Sequence, residues 1–171
     1  MAHPLPPARR PGHYELTMVC LGNICRSPMA HVVVEERLAD AGLADVVTVT
    51  SSGTGGWHVG DPMDRRAAAT LTAAGYDATR HRARQWAGTR ADVGADLVLV
   101  MDGQNLLDVG GRGDRVRLFR DFDVLEPGSD VPDPYYGGDS GFEEVLAMVE
   151  RTATTLVAAL SSERPWGGST P

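Results

Sequence analysis

The sequence predicts an α/β fold of three layers, in which a four-stranded parallel sheet lies between helices. Short apolar or β-branched segments alternate with longer segments of helical periodicity, the pattern of βαβ units joined by right-handed crossovers. The apolar run over residues 96–101 is nearly continuous, as expected for a strand buried on both faces of a parallel sheet. Four strands suit the flavodoxin-like order 2-1-3-4, which places a site at the end of the first strand.

The individual elements follow from local signals along the chain. A strand over residues 16–19 runs into a loop, and Ser27 followed by Pro28 predicts a helix start with Ser27 as the N-cap. That helix is expected to continue to residue 41. The later expected elements are a strand over 46–50, a glycine-rich loop over 51–60, a helix over 63–74, a weakly patterned helix before the strand over 96–101, a helix over 104–109, a strand over 115–119 and a helix over 142–160.

The chain of 171 residues is expected to form one domain over residues 14–162. Residues 1–13 hold four prolines and no apolar core, so they predict a flexible tail and neither a signal peptide nor a membrane anchor. Residues 163–171 predict a second flexible tail.

Charge and cysteine content narrow the expected partners and location. A net charge of −7 argues against binding to nucleic acid or to an anionic membrane surface. The chain has only two cysteines, in one loop, which excludes a disulfide scaffold and predicts a cytoplasmic protein. His58 and His81 lack a metal-ligand spacing with those cysteines, so we expect neither a metal nor another cofactor.

The loop after the first strand is the strongest candidate for a site. A strand, a tight loop and a helix start gather backbone N–H groups and the positive end of a helix dipole around one point, which predicts an anion site. Cys20 lies at the floor of this site, where a helix N-terminus and Arg26 both favour a thiolate nucleophile. Arg26 suits bidentate binding of phosphate oxygens. Gly22 and Asn23 are expected to supply the backbone angles that turn N–H groups inward.

Other residues near this chemistry have two possible roles each. Ser27 can cap the helix and also hydrogen-bond the thiolate, and Cys25 is either inert packing or a thiol that traps oxidised Cys20 as a disulfide. Asp133 is a candidate general acid, because prolines on both sides stiffen its loop and two tyrosines follow it. Trp57, in the glycine-rich loop, is either a recognition residue or ordinary packing.

The segment Cys-Leu-Gly-Asn-Ile-Cys-Arg-Ser-Pro over residues 20–28 resembles the signature of the low-molecular-weight protein tyrosine phosphatases. The later Asp-Pro-Tyr-Tyr over residues 133–136 resembles the acid loop of that family. Residues 51–60, 83–85 and 101–102 also fit the family pattern, so the resemblance extends in order over about residues 14–160.

The resemblance implies the type I phosphotyrosine phosphatase fold and a metal-independent hydrolase that works through a cysteinyl-phosphate intermediate. It implies that Cys20 is the nucleophile, Arg26 the phosphate binder and Asp133 the general acid. Implied loop and phosphate-binding positions are Leu21, Gly22, Asn23, Ile24, Cys25, Ser27, Ser51 and His81, and implied substrate-cleft positions are Trp57, His58, Tyr135 and Tyr136. The implied partners are phosphotyrosine proteins, with inorganic phosphate and other oxyanions as inhibitors.

Three other functions compete with this interpretation. A protein arginine phosphatase on the same fold resembles this chain, but such members carry threonine at the position of Ile24, and the apolar Ile24 favours an aromatic ester. An arsenate reductase needs relay cysteines downstream, and the sequence has none after Cys25. A non-catalytic phosphate-binding module is disfavoured because every expected chemical position is intact.

Overall fold

The computed structural model describes residues 3–168. Four strands form one parallel sheet in the order β2-β1-β3-β4. They are β1 (Tyr14–Cys20), β2 (Val47–Gly53), β3 (Leu97–Val100) and β4 (Val116–Leu118). The predicted α/β fold and strand order are confirmed.

Helices cover both faces of the sheet. They are α1 (Arg26–Asp40), α2 (Arg65–Ala73), α3 (Arg90–Val93), α4 (Gly103–Asp108) and α5 (Asp139–Glu163), with a 3-10 turn over Phe119–Phe122. The larger core lies between the sheet and α1, α2 and α5, where Leu16 and Met18 of β1 are fully buried. Val19 of the same strand points to a smaller apolar cluster on the α4 side. Across residues 3–168, no helix has the length and apolar character that crossing a membrane requires.

All four helices predicted with bounds begin at other residues than expected; α4 begins one residue earlier, at Gly103, and α5 three residues earlier, at Asp139. α1 begins at Arg26 with Cys25 as its N-cap, so the prediction that Ser27 caps this helix is wrong. The Ser27 hydroxyl contacts Cys20 Sγ instead, at 3.0 Å. α2 begins at Arg65, two residues later than predicted, because the side chain of Asp64 accepts from the first N–H groups of the helix.

The segments over residues 3–13 and 163–168 lie against the body of the domain, which corrects the expectation of flexible tails there. Leu5 and Trp166 are both buried, and the ring of Trp166 packs 6.2 Å from that of Tyr14. The Tyr14 hydroxyl donates to the carbonyl of Pro6 at 2.9 Å, and Gly12 N donates to the Trp166 carbonyl at 3.0 Å. Because prolines lack a backbone N–H, a proline-rich segment can be held mainly through its carbonyl groups. Docking of this kind needs no periodic pattern in the sequence, which is why the sequence did not predict it. Residues 1–2 and 169–171 of the predicted tails lie outside the described residues.

Asp123 ties the 3-10 turn to α5. Its carboxylate, 1% exposed, accepts from Arg151 at 2.7 and 2.8 Å, from Arg120 Nε at 2.9 Å and from Leu125 N at 2.9 Å. The hydrogen bonds from Arg151, together with those from Leu125 and Arg120, outweigh the effect of burial and hold the pKa of Asp123 well below its usual range. The carboxylate is therefore charged in the folded protein at any pH near neutrality.

We expect Asp123→Asn to lower the free energy of unfolding by about 3 kcal/mol, because it leaves buried guanidinium charge without its partner. The folded pKa is depressed, so this contribution is fully present above the unfolded pKa of about 4 and is lost as the pH falls below it. Urea unfolding of the wild type and of Asp123→Asn should therefore show a difference in the free energy of unfolding that becomes smaller below about pH 4.

Arg112→Gln is the matched control, since Arg112 pairs with Asp121 at 2.9 Å but is half exposed. Its effect should stay below about 1 kcal/mol. An Asp123→Asn protein as stable as this control would contradict the role given to the buried pair.

Candidate active site

The loop between β1 and α1 turns its carbonyl groups away from Cys20. Four carbonyls accept hydrogen bonds from neighbouring segments at 2.6–2.9 Å: Cys20 from Thr54 N, Leu21 from Gly55 N, Asn23 from His81 Nε2, and Ile24 from Asp64 N. In a trans peptide the C=O and the following N–H point in opposite directions. The N–H groups that follow these carbonyls therefore point into the concave side of the loop, which makes that side an anion site.

Asn23 holds this loop from behind. It is fully buried, and its backbone lies in the left-handed region, with φ 57°. The side-chain amide is satisfied on every side: Nδ2 donates to Ser27 Oγ at 2.8 Å and to Ser51 Oγ at 3.0 Å, and Oδ1 accepts from Arg84 N at 3.0 Å. The backbone N–H of Asn23 donates to Cys20 Sγ at 3.3 Å. The amide thus stabilises a backbone conformation that a non-glycine residue rarely adopts.

Cys20 ends the central strand, opposite Gly53 of β2. The first turn of α1 begins at Arg26, after five intervening residues, so the positive end of the helix dipole faces the thiol. Ser27 in that turn is 3.0 Å from Sγ. Together with the loop N–H groups, this surrounding favours an anion bound above the sulfur.

Arg26 is held with one edge of its guanidinium occupied. Nη1 donates to Asp102 Oδ2 at 2.6 Å and to the Val131 carbonyl at 3.0 Å, and the side chain is almost fully buried. Burial alone would lower the pKa of Arg26, but the sulfur of Cys20 and the carboxylates of Asp102 and Asp133 raise it. Nη2 lies 3.6 Å from Asp133 Oδ2 and faces the cavity. That edge can bind two oxygens of a tetrahedral anion.

A cavity of about 320 Å³ opens above Cys20. Its lining consists of Cys20, Leu21, Gly22, Ile24, Cys25, Arg26, Trp57, His58, Asp133, Tyr135 and Tyr136. The structure therefore brings together the three residues expected to be catalytic and the four expected to form the cleft. Asn23, Ser27, Ser51 and His81 lie behind the loop and not in the cavity wall.

The cavity has an aromatic rim. Trp57 and Tyr136 are 72% and 91% exposed, and the Tyr135 and Tyr136 rings meet edge to face with centroids 4.9 Å apart. His58 is 6.4 Å from the Tyr135 ring and 3.3 Å from Asp61. A planar aromatic group entering the cavity would pass between these side chains.

Two titratable groups next to the loop are held neutral. Burial, with smaller contributions from Asp64 and Cys20, raises the pKa of the Cys25 thiol. Burial also lowers the pKa of His81, whose Nε2 donates to the Asn23 carbonyl at 2.6 Å. His81 thus supports the loop as a neutral imidazole. Whether Cys25 is inert packing or a partner for oxidised Cys20 stays a prediction; both cysteines are free thiols in the structure.

Two further site residues are Asp102, which the sequence placed in the family pattern without a role, and Arg66, which it did not single out. Asp102 follows β3 at the same sheet edge as Cys20, and that position was the available signal. Arg66 lies on α2, where nothing in the sequence marks it. Its Nη2 donates to the Tyr135 carbonyl at 2.9 Å and its Nη1 to the Gly137 carbonyl at 3.4 Å, while Asp64 accepts from the same guanidinium. Arg66 therefore anchors the loop that carries Asp133.

Among residues 3–168, no group of three or more His, Cys, Asp or Glu side chains is arranged to hold a metal ion.

Comparison with known proteins gives consistent matches along the chain. The family model described as low molecular weight phosphotyrosine protein phosphatase matches residues 15–165. A low molecular weight protein-tyrosine-phosphatase of Streptomyces coelicolor is 44% identical over 158 residues, which is 88% of this chain and 95% of that protein. The low molecular weight protein-tyrosine phosphatase A of Mycobacterium tuberculosis is 49% identical over 140 residues, 79% of this chain and 84% of that protein. The crystal structure of YfkJ from Bacillus subtilis matches with a TM-score of 0.83 at 30% identity, over 91% of this chain and 99% of that one.

Arg66→Met should lower kcat on phenyl phosphate by on the order of tenfold, because the loop that positions Asp133 loses its anchor. p-Nitrophenyl phosphate, whose leaving group needs less protonation, should be affected less. Arg65→Met, an exposed change on the same helix, is the control for general effects of losing a charge. Equal kinetics for the two variants would contradict the anchoring role of Arg66.

Proposed function

The chain belongs to the low molecular weight phosphotyrosine protein phosphatase family, and we propose that it hydrolyses phosphotyrosine in proteins through a phosphorylated Cys20. The observation that carries this proposal is the convergence of three groups on one cavity: Cys20 inside a ring of N–H donors, the edge of Arg26 that faces the cavity, and the carboxyl of Asp133. They correspond to the nucleophile, the charge stabiliser and the acid that phosphoryl transfer through cysteine requires.

In the first step the Cys20 thiolate attacks phosphorus, forming an S–P bond while the P–O bond to tyrosine breaks. Asp133, in its acid form, gives its proton to the departing tyrosine oxygen. Arg26 and the loop N–H groups bind the three remaining phosphoryl oxygens, whose charge is redistributed in the transition state. The chain supplies all of these groups from its own residues.

In the second step water attacks the phosphorus of the cysteinyl phosphate. Asp133, now a carboxylate, takes a proton from that water, the P–S bond breaks, and inorganic phosphate is released. The Cys20 thiolate is regenerated. The Ser27 hydroxyl, 3.0 Å from Sγ, stabilises the sulfur as its negative charge returns.

The aromatic rim supports an aromatic ester as substrate. The rings of Trp57 and Tyr135 stand where they would flank the phenyl ring, and the apolar Ile24 lies deeper in the cavity. We propose that the partners are proteins carrying phosphotyrosine, and that inorganic phosphate and other oxyanions compete for the same N–H groups. A catalytic free thiol works in a reducing compartment, which favours the cytoplasm.

Phosphoarginine is the alternative substrate on the same fold. Ile24 is 8% exposed and presents a branched apolar side chain to the cavity, where a hydroxyl would be needed to orient water at a phosphoguanidine. We therefore expect turnover on phosphotyrosine peptides to exceed turnover on phosphoarginine peptides of the same sequence. Faster turnover on phosphoarginine would reassign the substrate class while leaving Cys20 as the nucleophile.

Cys20→Ser should abolish turnover of p-nitrophenyl phosphate but retain phosphate binding, because the loop donors stay in place. Asp133→Ala should lower kcat/KM, which reports the first step, by about 100-fold or more for phenyl phosphate and by less for p-nitrophenyl phosphate, since only the poorer leaving group needs the proton. Steady-state kinetics and isothermal titration with inorganic phosphate measure these effects.

Asp139→Asn, an exposed change near the same loop, serves as the control for Asp133→Ala. Appreciable turnover by purified Cys20→Ser, or equal losses of kcat/KM on the two esters for Asp133→Ala, would contradict the mechanism.

A further inference from the structure

A row of hydrogen bonds leaves the rear of the loop and ends on the outer face of α1. It starts at Cys20 Sγ, which is 3.0 Å from Ser27 Oγ. Asn23 Nδ2 joins that hydroxyl to Ser51 Oγ, at 2.8 and 3.0 Å. Ser51 Oγ then lies 3.3 Å from Nδ1 of His31, a residue that none of the preceding chemistry uses. The sulfur is thus connected to an imidazole on the side of the loop away from the cavity.

The direction of each hydrogen bond follows from what its atoms can donate. The Asn23 amide nitrogen only donates, so the Ser51 oxygen accepts from it and the Ser51 proton is available for His31 Nδ1. His31 Nε2 lies 2.6 Å from Glu35 Oε2, so Nε2 carries the imidazole proton. The hydrogen bond from His31 is the main reason that the pKa of Glu35 is lowered, which keeps this end of the row anionic. Nδ1 is then the acceptor that Ser51 requires.

We propose that His31 is a positioning residue for the reaction at Cys20. By accepting the Ser51 proton, it fixes the Ser51 oxygen toward the Asn23 amide. The amide in turn occupies one lone pair of Ser27, which leaves the Ser27 hydroxyl within reach of two acceptors, Sγ at 3.0 Å and the Ser52 carbonyl at 3.3 Å. As the thiolate departs, its negative charge draws the Ser27 proton to Sγ. This inference rests on the proposed function, because it takes Cys20 as the nucleophile.

The surroundings of His31 separate its effect from substrate binding. His31 is absent from the lining of the cavity above Cys20, and its side chain is a quarter exposed on another face. There it borders a groove of about 480 Å³. A change at His31 should therefore alter kcat through the hydrogen bonds and leave KM nearly unchanged.

The test compares His31→Leu and His31→Asn, using kcat and KM on p-nitrophenyl phosphate at neutral pH. His31→Leu removes the acceptor, and we expect kcat to fall about fivefold with little change in KM. Asn places Oδ1 near the position of Nδ1, so His31→Asn should restore most of the rate.

Equal kcat for the wild type, Leu and Asn proteins would overturn the role of His31 while leaving the proposed function intact. Equal losses in the Leu and Asn proteins would also overturn it, because packing would then explain the effect. No turnover by the wild type would instead defeat the proposed function. Should His31→Leu fail to fold, ¹⁵N NMR of wild-type His31 decides the question: a proton on Nε2 at neutral pH supports the proposal, and a proton on Nδ1 refutes it.

Discussion

The site depends on satisfying the carbonyl groups of one short loop from outside, so that its N–H groups face inward. The donors come from the segment after β2, from His81 and from Asp64. The end of β2 must pass very close to this loop, since a β-carbon at Gly53 would lie 2.6 Å from the Leu21 carbonyl oxygen. Because these donors hold the loop, the cost of orienting dipoles around an anion is met on folding and not during the reaction.

The second requirement is that groups far apart in sequence meet at one sheet edge. Parallel strands end at the same edge, so Asp102 after β3 reaches Arg26 at the start of α1. That ion pair and the Val131 carbonyl fix one edge of the guanidinium, and the other edge faces Asp133. Arg66 holds the same acid loop from its other side. Cys20 and Asp133 are thus positioned by separate elements that meet at one edge of the sheet.

Strand–helix alternation and one buried apolar run were sufficient to predict the sheet and its order, and resemblance supplied the roles of Cys20 and Asp133. The Ser-Pro signal misplaced the helix start, because Cys25 is the N-cap and the Ser27 hydroxyl, already inside the first turn, contacts the Cys20 sulfur. The proline-rich segment before β1 was misjudged, since its docking uses carbonyls and has no periodicity. Arg66 and His31 were missed because a single polar residue on a helix has no local signature; only its tertiary partner gives it a role.

The claim on which the mechanism rests is that Cys20 carries the phosphoryl group between the two steps. The most direct measurement is peptide mapping by mass spectrometry after quenching the Asp133→Ala protein during turnover of p-nitrophenyl phosphate. That ester needs little acid assistance, while hydrolysis of the intermediate lacks its base, so the intermediate should accumulate. We expect phosphate on the Cys20 thiol and none on a Cys20→Ala protein. Phosphate on another residue, or continued turnover by Cys20→Ala, would contradict the mechanism.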